Sequence, residues 1–231
     1  MFQIDENVLL FLNGHLGNND SNAFVRCSNF AYRDMCRTIT YSDEYNENHA
    51  LSSKDKGTIV QKKRDLRDEI TKLIETQVKM WMNNTSLTKK QFNEDHEALC
   101  KAIIKKYKGT TNQNEPDNSL YFGQAQKWVN MTLKNLYVYS KSNKTSLNLD
   151  NIIKYFHVPI DNVILDIASD AKECYIDMPN TKYNVIKPSK AWSKWNYEEY
   201  KDYQEKLEKS IKPQGNVPII WELQHWSTVK D

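Results

Sequence analysis

The stretch from Leu120 to Leu136, LYFGQAQKWVNMTLKNL, restricts the fold more than any other part of the chain. Ala125, Trp128, Val129, Thr132, Leu133 and Leu136 recur at spacings of three and four, so one face of an α-helix is apolar. The small-residue stretch Gly123-Gln124-Ala125 predicts a turn just before that helix, and Lys127 stands at its front. A glycine turn lets backbone N–H groups approach a phosphate, and a helix N-terminus adds partial positive charge there. Further on, His157-Val158-Pro159-Ile160-Asp161 predicts a proline-stiffened turn that delivers the Asp161 carboxylate to the start of another helix.

Helical stripes recur elsewhere. Leu66, Ile70, Leu73, Ile74, Val78 and Trp81 predict a long helix over Ile59–Met82. Ser86 or Thr88 caps the next, in which Phe92, Leu99, Ile103 and Tyr107 repeat. Asn118 and Ser119 offer capping oxygens before the central helix, which is expected to run to about Tyr139. Ser140–Ser146 reads as a linker and Leu147–Phe156 as a short helix. Ile160, Val163, Ile164, Ile167 and Ala168 form a stripe after Pro159, and helices are expected over Tyr197–Ile211 and Pro218–Trp226. Phe2–Leu12 reads as an amphipathic helix. Gly14–Tyr45, rich in Asn, Ser and aromatics, reads as irregular, as does Tyr175–Pro188. Glycine and proline are scarce, six each, and nothing forces a sheet. The expectation is an all-α fold in one domain over residues 1–231, with two helical lobes around a cleft and a hairpin core at 118–172.

The net charge is only +2, yet Lys101–Lys144 holds eight lysines (101, 105, 106, 108, 127, 134, 141, 144) against Glu115 and Asp117. Such a patch suits a phosphate backbone. Cys27, Cys36, Cys100 and Cys174 are dispersed, with no C-x-x-C pair and no zinc spacing, so free thiols in a reducing cytoplasm are expected. No metal or other cofactor is expected. The N-terminus lacks the basic region of a secretory signal, and no apolar run reaches membrane-spanning length.

Gly123-x-Ala125-x-Lys127 followed by a helix, and then Val158-Pro159-Ile160-Asp161, resemble the helix-hairpin-helix superfamily of DNA glycosylases. That family's hairpin reads Leu-x-Gly-x-Gly-x-Lys and its second motif Val-Pro-Val-Asp. The resemblance covers residues 120–161. Alanine replaces the second glycine, Tyr121 and Phe122 are bulkier than the usual choice, and the cysteine loop that holds an iron–sulfur cluster in some members is absent. The 34-residue separation of Lys127 and Asp161 is closest to the archaeal 8-oxoguanine branch.

The resemblance implies that Lys127 is the lysine that attacks C1′ of an extruded nucleotide, with possible AP-lyase chemistry, and that Asp161 is the assisting carboxylate. It implies DNA with a modified base as partner, whether an oxidised purine in DNA repair or a bulky phage-type pyrimidine in antiviral defence. A monomer is expected. Gly123, Gln124, Ala125, Lys134, Lys141, Lys144 and His157 are the expected DNA contacts. Trp192, Trp195, Trp221 and Trp226 are candidates for stacking or core, and Glu222 for a cleft carboxylate. A non-catalytic helical module that binds DNA or protein is the alternative.

Overall fold

The computed structural model describes Gly14 and residues 22–113, 117–142, 147–170, 175–178, 181–211 and 217–226. The fold is all-α. Among the described residues seven helices carry it: α1 (Ala23–Cys36), α2 (Ser53–Asn83), α3 (Lys89–Lys106), α4 (Phe122–Ser142), α5 (Asn162–Asp170), α6 (Tyr197–Ile211) and α7 (Pro218–Trp226). One antiparallel ribbon, β1 (Tyr175–Met178) with β2 (Thr181–Asn184), pairs Tyr175 with Asn184 and Met178 with Thr181. It lies where the sequence reads as irregular.

Helix α4 is the axis. Every residue from 122 to 139 is buried, because α1, α3, α6 and a 3-10 turn at Trp192–Lys194 all pack against it. The apolar positions that define its stripe, Ala125, Trp128, Val129, Leu133 and Leu136, are fully enclosed. Its start differs from the expected glycine turn. Gly123 is already helical, and a Cβ there would lie 1.9 Å from the Trp192 carbonyl oxygen. The glycine is thus needed for close backbone packing, and its N–H donates to the Trp195 carbonyl at 3.0 Å. Ser119 does not cap the helix; its hydroxyl donates to the Ile104 carbonyl. Gln124 reaches back instead, accepting from the Tyr121 N–H at 3.0 Å, half of a capping box.

Helix α1 corrects the reading of Gly14–Tyr45 as irregular. Ala23, Phe24, Cys27, Ser28, Ala31 and Met35 form its buried face. Most of these side chains are small, which lets α1 lie close along α4. Trp128 Nε1 donates to both the carbonyl and the hydroxyl of Ser28, at 3.1 and 3.0 Å.

Helix α2 is longer than the apolar stripe alone defines, because Ser52 accepts from the Asp55 N–H and starts it earlier. Thr88 caps α3, accepting from the Gln91 N–H at 3.2 Å. Residues 147–156 hold only a 3-10 turn at Ile153–Tyr155 in place of the expected helix. Long-range bonds fix that segment: Tyr155 donates its hydroxyl to the Leu87 carbonyl, and Lys89 donates to the Tyr155 carbonyl.

Among the described residues, the buried apolar side chains of these helices, Ile59 apart, belong to a single cluster. No helix among the described residues is long and apolar enough to cross a membrane. The expected helix over Phe2–Leu12 lies outside the described residues, as do Cys174 and Lys144.

Candidate functional site

Lys127 and Asp161, 34 residues apart, meet. Nζ of Lys127 donates to Oδ2 of Asp161 at 2.5 Å. Lys127 comes from the second turn of α4. Asp161 caps α5: its Oδ1 accepts from the Ile164 N–H at 2.9 Å, and its own carbonyl accepts from the Leu165 N–H. The lysine side chain is only 5% exposed, whereas the aspartate is 25% exposed, so the carboxylate forms the open edge of the pair. Burial pushes the Asp161 carboxyl up. The Lys127 ammonium, the Ile164 N–H and the charge of Lys134 outweigh it and hold the group below its ordinary range.

A second ion pair stands two helical turns along the same face of α4. Lys134 Nζ donates to Glu222 Oε1 at 2.7 Å, with both side chains 2% exposed. Glu222 is carried by α7, which packs on α5, so adjacent helices supply the two carboxylates. Among the described residues, Glu222 Oε2 and the Trp221 indole N–H have no hydrogen-bond partner. Lys134 is therefore a core residue and not the expected phosphate contact.

Most of the other expected DNA contacts among the described residues are bonded within the protein, Gln124, Ala125 and Gly123 in its interior and Lys141 at its surface. Gln124 donates to the Thr38 carbonyl at 2.8 Å and exchanges bonds with Gln113, and Ala125 is fully buried. The Gly123 N–H is taken by Trp195. Lys141 pairs with Asp150 at 2.5 Å. Lys101 pairs with Glu97, Lys106 with Glu69 and Lys108 with Asp117. The lysine-rich stretch is thus largely neutralised by carboxylates, most of them from elsewhere in the sequence. A count within the stretch alone overstates the basic patch. Trp192, Trp195 and Trp221 are buried between elements, and Trp195 donates to the Lys190 carbonyl. The side chain of Trp226 lies outside the described residues.

His157 is held on both ring nitrogens. Nε2 donates to Asn93 Oδ1 at 3.0 Å, which leaves Nδ1 to accept from the Tyr200 hydroxyl at 2.7 Å. Tyr200 in turn accepts from Asn130 Nδ2 at 2.9 Å, and Asn130 Oδ1 accepts from His96 Nε2 at 2.8 Å. Burial holds both histidines neutral, His157 well below its ordinary value and His96 at about 4. A neutral, doubly bonded His157 is not a cationic phosphate contact. It faces a cavity of about 550 Å³, lined also by Asn93, Tyr197, Tyr200, Gln204 and Lys89. Neither Lys127 nor Asp161 lines this cavity.

This polar network escapes a search for charged motifs. Its signal in the sequence is the density of amides, Gln124, Gln126, Asn130 and Asn135, on a helix otherwise apolar enough for the core. A helix buried all round is ordinarily apolar all round. Each of these amides makes at least one hydrogen bond. No group of three or more potential metal ligands occurs among the described residues. Compared with family models, with curated proteins and with solved structures, the chain finds no match.

Proposed function

We propose that the protein is a DNA glycosylase in which Lys127 and Asp161 work on the sugar of an extruded nucleotide. The observation that carries this reading is the Lys127–Asp161 contact at 2.5 Å. Each residue was singled out by its own local motif, and the fold brings the two side chains within proton-transfer distance at the cap of one helix and near the start of another.

The chemistry follows from that contact. Asp161 takes a proton from Lys127, leaving a neutral amine. As the C1′–base bond breaks, the departing base takes up that proton and the Lys127 Nζ–C1′ bond forms. Ring opening gives a Schiff base, from which the 3′ phosphate can be eliminated. Once it has passed that proton on, the ionised carboxylate stabilises the positive charge left on the sugar. Sugar approaches from the exposed edge of Asp161. The substrate is DNA carrying a modified base, either an oxidised purine or a bulky phage-type pyrimidine, in repair or in antiphage defence.

The test is incubation with duplexes bearing each class of modified base, followed by borohydride reduction. The parent should release base and form a covalent adduct. Lys127→Gln should form none, and Asp161→Asn should release base at least about 100-fold more slowly. The enclosure of Lys127 favours one other reading, in which the ion pair only ties α5 to α4 in a non-catalytic helical module. No released base from any duplex, together with lower thermal stability in both variants, selects that reading.

A further inference from the structure

Among the described residues, the turn that presents Asp161 closes no backbone–backbone hydrogen bond from Val158 to Ile160. Pro159 has no N–H to give. Buried backbone groups must nevertheless be paired, and Val158 and Ile160 are both fully buried. Side-chain amides do this. Gln204, on α6, donates Nε2 to the Val158 carbonyl at 2.5 Å and accepts from the Val158 N–H at 3.3 Å, so one amide pairs both backbone polar groups of one residue. Asn130 Nδ2 reaches the same carbonyl at 3.4 Å. Gln126 Nε2 reaches the Ile160 carbonyl at 3.4 Å and also holds the Gly123 carbonyl at 2.9 Å. The amides brace one another, since Asn130 donates to Gln126 Oε1 at 2.9 Å. Tyr200 and His157 fix the far side of Asn130.

We infer that Gln126, Asn130 and Gln204 are positioning residues: they clamp the Val158–Ile160 backbone so that Asp161 is held against Lys127. This inference rests on the glycosylase reading for its effect on turnover. Its structural part stands without that reading. Gln126 and Asn130 flank Lys127 on α4, so one rigid helix carries both the amine and two arms of the clamp. Gln204 supplies the third arm from α6. Loss of an arm frees the turn without removing either reacting group.

The experiment uses the full chain with Gln204→Met and, separately, Gln126→Met, which keep side-chain length and remove the amide. The first readout needs no substrate: titration of the Asp161 carboxyl by carbon NMR. If the clamp holds the pair together, the Asp161 midpoint in both variants rises toward the ordinary carboxylate value. The second readout is single-turnover base release with DNA affinity measured beside it. The rate should fall by about tenfold to 100-fold while the Kd stays as in the parent. Gln204→Glu keeps the acceptor for the Val158 N–H and should lie between parent and Gln204→Met. Folded variants whose Asp161 titration matches the parent overturn the inference and leave these amides a purely structural role. A shifted titration in a protein that excises no base upholds the clamp and removes the glycosylase reading.

Discussion

Lys134→Met leaves the Glu222 carboxylate enclosed with nothing to balance it. The pair is 2% exposed on both sides, its single bond is 2.7 Å long, and Glu222 Oε2 already lacks a hydrogen-bond partner among the described residues. Breaking one side of a buried pair costs about 3–5 kcal/mol, because the remaining charge keeps its desolvation penalty and loses its attraction. For a domain of this size each kcal/mol lowers the melting temperature by about 2–4 °C, so a fall of about 6–20 °C is expected. Lys134→Met combined with Glu222→Leu removes both charges. Apolar replacement of a buried pair is commonly neutral or stabilising, so the double variant should recover most of the loss. Calorimetry or denaturant unfolding of parent, both single variants and the double completes the cycle. Additive losses, with the double variant the least stable of the four, would refute the claim that the two charges balance each other in the core.

Three further outcomes follow from the same geometry. Gly123→Ala places a Cβ 1.9 Å from the Trp192 carbonyl oxygen, a backbone atom that cannot rotate away, so unfolding should be easier by about 1–3 kcal/mol; unchanged thermal stability would show that the Trp192–Lys194 turn moves freely. Burial lowers the His96 value from 6.5 to about 4 and lowers His157 well below its ordinary value too, so below pH 6.5 the unfolded chain binds protons that the folded one refuses. Stability is then full above pH 6.5 and falls toward about pH 4, by ~3 kcal/mol for His96 alone; equal urea midpoints at about pH 7 and about pH 4.5 would contradict this. Asp161 acts in a lower window: its depressed carboxyl contributes stability above its ordinary 3.8 that is lost on further acidification, and Asp161→Asn should remove that part of the acid transition.

The sequence by itself determined which segments become helices and what opens some of them. Period-3.6 apolar stripes marked α2, α3, α4 and α6, Pro218–Trp226 was expected as a last helix, and Pro159-Ile160-Asp161 marked the capped start of α5. These are local effects, set by spacing and by side chains bonding to backbone a few residues away. Local pattern failed where the burying partner is remote. The buried face of α1, mostly small residues, is covered by α4, a partner about 100 residues away, and residues 147–156 are fixed by bonds to Leu87 and Lys89 in place of a helix. The site divides in the same way. Lys127 and Asp161 stood out from their neighbours in sequence, but only the tertiary fold, which sets the Asp161 turn beside α4, could bring them to 2.5 Å. Tertiary structure also decided against the lysine-rich surface. Electrostatics depends on distance through space, so the carboxylates of Glu69, Asp150 and Glu222 neutralise lysines that a linear count leaves unopposed.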